Sequence, residues 1–175
     1  PMNELTWIPF DASVGSTPPA GHYYLAEDYN QTSIKYVMAW DHVVLDLRGH
    51  KWSSYTTTTL PSNTSYRLMT IQGYFYLMDT VGNGVVEAQM KPNYGGAFLL
   101  DVNEHEQPEF HFLSGTIRPR AGEEAATHGG FLYAYESGIF KMSGGCIENF
   151  AATTGNGGAI LGSKDSQILI SGGTF

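Results

Sequence analysis

The chain has 175 residues, of which 42% are hydrophobic, 13% aromatic and only 15% charged, with 21 glycines. This length and composition suffice for one domain with a real core and exclude a disordered chain. The formal charge of −8, with nine Lys and Arg, leaves no basic patch for nucleic acid or an anionic membrane surface, and it repels acidic polysaccharides unless a local site reverses the sign.

Residues 1–20 hold Pro9, Pro18, Pro19 and several Gly and Ser, and read as an irregular N-terminal cap. A strand-like run follows at 21–26 (GHYYLA), then a loose alternation at 34–40 (IKYVMAW). In VVLDLRGH (43–50) Val43, Leu45 and Leu47 share one face, so Asp46 and Arg48 read as an exposed ion pair or polar ladder. Residues 53–65 are almost wholly Ser, Thr, Pro and Asn, and read as a loop leaving the body. Strands are predicted at 67–73, 74–78 and 85–88, with a turn at Asp79, Val81, Gly82, Asn83 and Gly84 that Asp79 caps. The segment 121–127 (AGEEAAT) is the best helical candidate, of two turns at most.

The most telling pattern is a phrase written twice. Residues 128–147 read HGGFLYAYESGIFKMSGGCI and residues 156–175 read NGGAILGSKDSQILISGGTF. Gly130 and Gly158 are 28 residues apart, as are Gly145 and Gly173. A weaker copy runs from Gly95 and Gly96 through Phe110 and Phe112 to Ser114, Gly115, Thr116 and Ile117, with a six-residue insertion before Gly130. A constant period of this size means a stacked architecture in which each unit buries its apolar face on the next. Each unit carries three short strands: one after the Gly pair (97–102, 131–136, 159–163), one at Phe110/Phe112, Phe140/Met142 and Ile168/Ile170, and one at Thr116, Cys146 and Thr174. The expectation is an all-β, right-handed, single-stranded parallel β-helix over residues 21–175 behind the cap. The last unit stops at Phe175 in mid-turn, which exposes an open strand edge. The chain therefore reads as the N-terminal part of a longer protein, or as one that self-associates through its open C-terminal coil.

The run VVLDLRGHKW (43–52), then RLMTIQGYFYLMDTVGNG (67–84), then the repeated Gly-Gly, strand, Ser-Gly-Gly units resemble large surface proteins of Gram-positive gut bacteria. Those look like right-handed parallel β-helices of the pectin-lyase-like type, and the resemblance covers roughly residues 21–175. Their LDLNGH motif carries Asn where this chain has Arg48. The resemblance implies an extracellular, cell-surface protein. It does not choose an activity, because the fold serves adhesins, lyases, hydrolases and passive stalks.

Lyases of this type use calcium-binding carboxylates and a basic residue, and glycoside hydrolysis needs two carboxylates flanking the bond. Asp101, Glu104 and Glu106, around His105, read either as a solvated hairpin-like loop, since they lack the spacing of a known metal loop, or as candidate calcium ligands, with oxygen donors suited to that ion. Glu123, Glu124 and His128 form a second acidic group in the insertion. His22, His42, His50, His105, His111 and His128 are scattered without zinc-ligand spacing, and no nucleophile elbow or P-loop occurs. Cys146, the only cysteine, occupies the repeat position of Thr116 and Thr174 and reads as a small packed residue. Tyr74 and Tyr76 alternate with Phe75, and Tyr133 and Tyr135 with Ala134. One member of each alternation faces outward: either these rings fill the coil interior or pack under the Ser/Thr loop, or the tyrosines stand on a flat parallel face and are the candidate ligand-binding residues, for a host glycan or protein. The expected function is a non-catalytic extracellular surface module, adhesin-like, glycan- or protein-binding, or a cap or stalk. The alternative is a polysaccharide lyase or glycoside hydrolase.

Overall fold

The computed structural model describes residues 5–54, 67–89, 96–102, 106–122, 125–126, 128–152 and 155–175. The chain opens with strand β1 (Trp7–Pro9) and then winds through successive coils. These hold β2 (Gly21–Tyr24), β3 (Tyr29–Gln31) and β4 (Lys35–Val37); then β5 (His42–Asp46), β6 (Lys51–Ser54) and β7 (Met69–Ile71); then β8 (Tyr74–Met78), β9 (Val85–Ala88) and β10 (Phe98–Leu100). The later coils hold β11 (Glu109–Phe112), β12 (Thr116–Pro119), β13 (Ala125–Ala126) and β14 (Leu132–Ala134); then β15 (Ile139–Met142), β16 (Cys146–Ile147), β17 (Ala151–Ala152) and β18 (Ile160–Gly162); then β19 (Gln167–Ile170). Each strand pairs in parallel with its equivalent in a neighbouring coil, and the inner strands of each sheet pair on both sides. The result is a parallel β-helix with a sheet of seven strands (β1-β2-β5-β8-β11-β15-β19) and two of five (β18-β14-β10-β7-β4 and β16-β12-β9-β6-β3).

The pleat decides which side chains enter. In the seven-stranded sheet Val43, Phe75, Phe110, Phe140 and Ile168 form one inward column. Tyr23, Leu45, Leu77, Phe112, Met142 and Ile170 form the next. Met69, Phe98 and Leu132 enter from a second sheet, and Trp52, Val86 and Ile117 from the third. Phe75, Phe98, Phe110, Phe131 and Phe140 are wholly buried. Neighbouring ring centroids lie 4.8 to 6.3 Å apart, within coils and from one coil to the next. Ile170 is half exposed where Met142, one coil earlier, is buried, because no described rung lies on it.

At the other end the cap folds over the first coil. The Tyr23 hydroxyl donates to the Pro19 carbonyl at 2.7 Å, and the Tyr36 amide donates to Ser16 at 2.7 Å. Lys35 holds the inward column position that Met69, Phe98 and Leu132 hold later. Its ammonium turns up to the Gly15 carbonyl and lies 5.5 Å from the Phe10 ring centroid and 5.7 Å from that of Tyr29. Burial holds its pKa below the ordinary lysine value, and the attraction of Asp11 offsets this in part.

Three readings of the sequence are corrected. Asp46 does pair with Arg48 (3.7 Å) but is buried, not exposed: it accepts from the Arg48 amide (3.0 Å), the Thr80 amide (3.0 Å) and the Thr80 hydroxyl (2.6 Å), which bridges one corner to the next. The segment 121–127 is not helical in its described residues: 121–122 form a turn, and β13 pairs with β17 beside the main coil. Ser53 and Ser54 belong to β6, and residues 55–66 of the Ser/Thr-rich stretch lie outside the described residues.

Asp79 carries the sequence's turn cap further. Its carboxylate accepts from the Gly84 amide within its own corner and the Gly49 amide of the previous coil, both at 2.7 Å, while the Ser114 hydroxyl of the next coil accepts from the Asp79 amide. Asp79→Ala strands two donors in or near the interior and is expected to cost about 2–4 kcal/mol. Asp79→Asn, which keeps one acceptor oxygen, should cost less than half of that. Urea unfolding of the three proteins checks the order, and an alanine variant as stable as wild type removes the ladder from the account.

Candidate functional site

The outer face of the seven-stranded sheet gathers the polar and aromatic side chains that the core excludes. One outward column runs Trp7, His22, Val44, Tyr76, His111, Lys141, Leu169. Beside it lies His42, Tyr74, Glu109. The Tyr74 ring stacks on His42 at 4.2 Å and 11°, and the Tyr76 ring on His111 at 4.3 Å and 21°. Parallel strands place register partners one above another, so flat rings at equivalent positions meet face to face. One face of each ring is thus covered by a neighbour, and the strip offers hydroxyls, ring nitrogens and ring edges to solvent.

Glu109 joins the two columns. Its Oε2 lies 2.6 Å from Nε2 of His111 and 2.7 Å from Nζ of Lys141. Burial alone raises its pKa, but the hydrogen bonds and charges of Lys141 and His111 outweigh that and hold it below the ordinary glutamate value. A carboxyl with a depressed folded-state pKa lends stability above its unfolded value of about 4.3, and that stability is lost as pH falls through the lower folded value. The group should therefore contribute fully at pH 5–7 and weaken only below about pH 4.3. A carboxyl-resolved NMR titration should show Glu109 titrating late on acidification. Lys141→Met should move its midpoint upward, and an unmoved midpoint would remove Lys141 as a cause.

Next to His111 and Lys141 runs an open groove of about 460 Å³, with Leu113, Met142, Leu169 and Ile170 on its apolar side and Ser143 and Ser171 on its polar side. The outer face of the β3-β6-β9-β12-β16 sheet has a different character. There Arg118 sits between Glu87 (3.3 Å) and Glu148 (3.9 Å), a half-exposed ladder of alternating charge.

The four tyrosines divide between two sheets. Tyr74 and Tyr76 are outward on β8, as the alternation with buried Phe75 and Leu77 requires. Tyr133 is outward on β14 and Tyr135 follows it, their centroids 5.8 Å apart. Of the acidic loop, Asp101 follows β10 and accepts from Nε2 of Gln72 at 3.0 Å. Glu106 instead accepts from the Trp40 amide and raises the pKa of nearby Tyr74, and Glu104 lies outside the described residues. Among the described residues no three His, Cys, Asp or Glu side chains gather as a metal set. Glu123 and Glu124 also lie outside the described residues, while Nδ1 of His128 accepts from the Asn156 amide at 3.1 Å. Cys146 is half-buried in β16, and burial, then Glu148, raise the pKa of its thiol.

Sequence reasoning had named the tyrosines but not His42, Glu109 and Lys141 as their companions. The missing signal was the step between coils, which is 32 residues from His42 to Tyr74 and 35 from Tyr74 to Glu109. No family model, characterised protein or solved structure matches this chain.

Proposed function

We propose that the chain is a non-catalytic, extracellular bacterial surface module, adhesin-like, that holds a glycan along the outer face of its seven-stranded sheet. The observation that carries this reading is the strip of Tyr74, Tyr76, His42, His111, Glu109 and Lys141. Its donors and acceptors repeat at strand spacing on a scaffold whose core is fully packed. A polar chain lying on the strip meets a regular series of hydrogen-bonding groups without any need for a closed pocket.

The test is a glycan array run beside immobilised host-surface proteins. Binding to a defined glycan class, weakened by a paired Tyr76→Ala and His111→Ala change, supports the reading. An empty array with capture by protein, or no capture at all, rejects it. The Glu109–His111 contact favours one second reading, a carbohydrate-active enzyme in which the carboxylate orients His111 as a base. Release of reducing ends or unsaturated products from a polysaccharide panel, lost in His111→Ala, would replace the binding function with that one.

A further inference from the structure

Trp40 lies outside the strip just described, at the corner between β4 and β5, and it is costly in two ways. Its φ is +69°, a left-handed conformation that bulky side chains rarely adopt and that Gly or Asn would adopt at less cost. Its indole is also 65% exposed, in a row with exposed Tyr36 (37%) and Met38 (43%). The conformation is held from several sides. The Asp41 amide donates to the Met38 carbonyl at 3.1 Å, and the Tyr74 amide donates to the Asp41 carbonyl at 2.9 Å. Glu106, on the corner that follows β10, reaches back along the axis to accept from the Trp40 amide, and it lies close enough to Tyr74 to raise the pKa of that hydroxyl. The corner in between leaves room for this: a Cβ on Gly73 would lie 2.3 Å from the Met38 carbonyl. An exposed, strained aromatic residue that the rest of the fold is arranged to hold is explained by what it meets from solvent.

We infer that Trp40, Glu106 and Tyr74 form a subsite for one neutral β-linked gluco- or galacto-configured pyranose, an assignment that rests on the glycan-binding reading above. Such a ring has an apolar face of axial hydrogens, which suits an open indole, and a rim of hydroxyls. A carboxylate accepts about four hydrogen bonds, so Glu106 has capacity for sugar hydroxyls beyond the Trp40 amide. Met38 and Tyr36 extend the apolar floor. Glu106 and the net charge of −8 disfavour uronic and sialic acids, which bring a second negative charge. A protein partner with an apolar patch would meet the indole but leave the Glu106 acceptors without donors.

The chain has three tryptophans: Trp52 is wholly buried, Trp7 is partly exposed beside His22, and Trp40 is open. Each gives one indole N–H signal in a ¹⁵N spectrum. Titration with cellotriose, methyl β-galactoside and methyl β-glucoside should move the Trp40 signal along a saturating curve for at least one of them, with Trp7 and Trp52 still. Trigalacturonate should move none. Trp40→Asn should weaken binding by about tenfold or more while its melting temperature stays equal or rises, because the left-handed corner suits Asn. Glu106→Gln should weaken binding by roughly fivefold. If an array binds glycans and Trp40→Asn binds them as tightly as wild type, the subsite is wrong and the wider reading stands. If only acidic glycans bind, the sugar class is wrong. If neither the array nor any of the three sugars gives a signal, the glycan reading fails and takes the subsite with it.

Discussion

Gly96→Ala is expected to destabilise the fold by about 3 kcal/mol or more, although it adds one methyl group at a backbone conformation open to alanine. The Gly column of the repeat is where consecutive coils come closest. A Cβ on Gly96 would lie 1.8 Å from the Gly130 carbonyl oxygen and 2.2 Å from its carbon, and both are backbone atoms that no rotamer change can move. The coil would have to open, and with it the bonds around it, such as the Phe98 amide to the Phe131 carbonyl at 3.0 Å. The column supplies its own controls. On Gly130 the nearest contact would be the Gly158 carbonyl oxygen at 2.7 Å, and on Gly158 nothing lies within 4 Å. The losses should therefore fall in the order Gly96, Gly130, Gly158. Gly158→Ala should stay within about 0.5 kcal/mol of wild type or stabilise slightly through the unfolded chain. Urea midpoints of the three single variants decide it, and equal losses at all three positions would mean that coil contact is not the cause.

Phe110→Ala should cost about 3–5 kcal/mol, the range for removing a fully buried aromatic ring from a core that cannot collapse around the gap. Phe110 is wholly buried, with ring centroids of Phe98 at 4.8 Å, Phe75 at 5.3 Å and Phe140 at 5.4 Å. These neighbours sit on stiff parallel strands of two sheets, so the space stays open. Phe110→Leu keeps most of the volume and should cost about 1.5 kcal/mol or less. Ile168, in the same column two coils later, is only partly buried, and Ile168→Ala should cost well under half as much as Phe110→Ala. Calorimetry or denaturant unfolding reads all three. A Phe110→Ala loss below about 1 kcal/mol would mean that the aromatic column does not carry the core.

Much of this architecture was legible because it rests on local rules. Alternation put Phe75 and Leu77 on one face and Tyr74 and Tyr76 on the other, and the coil turned the Phe75 face inward. The Ser-Gly-Gly mark recurred because the corner it forms needs a positive φ, seen at Gly145 (81°) and Gly173 (94°). Among the strands that escaped notice, β1, β3 and β6 are short and carry Pro, Asn, Gln, Ser or Lys, so propensity said little. They are strands because the neighbouring coil offers a free edge of amides and carbonyls. The site was less legible than the fold. Asp46 looked exposed by alternation and is buried, because the corner turns it over Thr80 of the next coil.

The amino-acid order alone thus determined the winding, from the 28-residue period of the last units, and the two-faced alternation of each strand, from residues two positions apart. Which outward groups meet was decided only by the tertiary structure. The step between register partners is 22 residues from Gly21 to Val43, 32 to Phe75, 35 to Phe110, 30 to Phe140 and 28 to Ile168. Coil length varies with the corners, and a corner that grows by a few residues shifts every later partner along the chain without disturbing the alternation. Glu109 therefore finds Lys141, and Glu106 finds Trp40, through stacking that no fixed spacing in the sequence encodes.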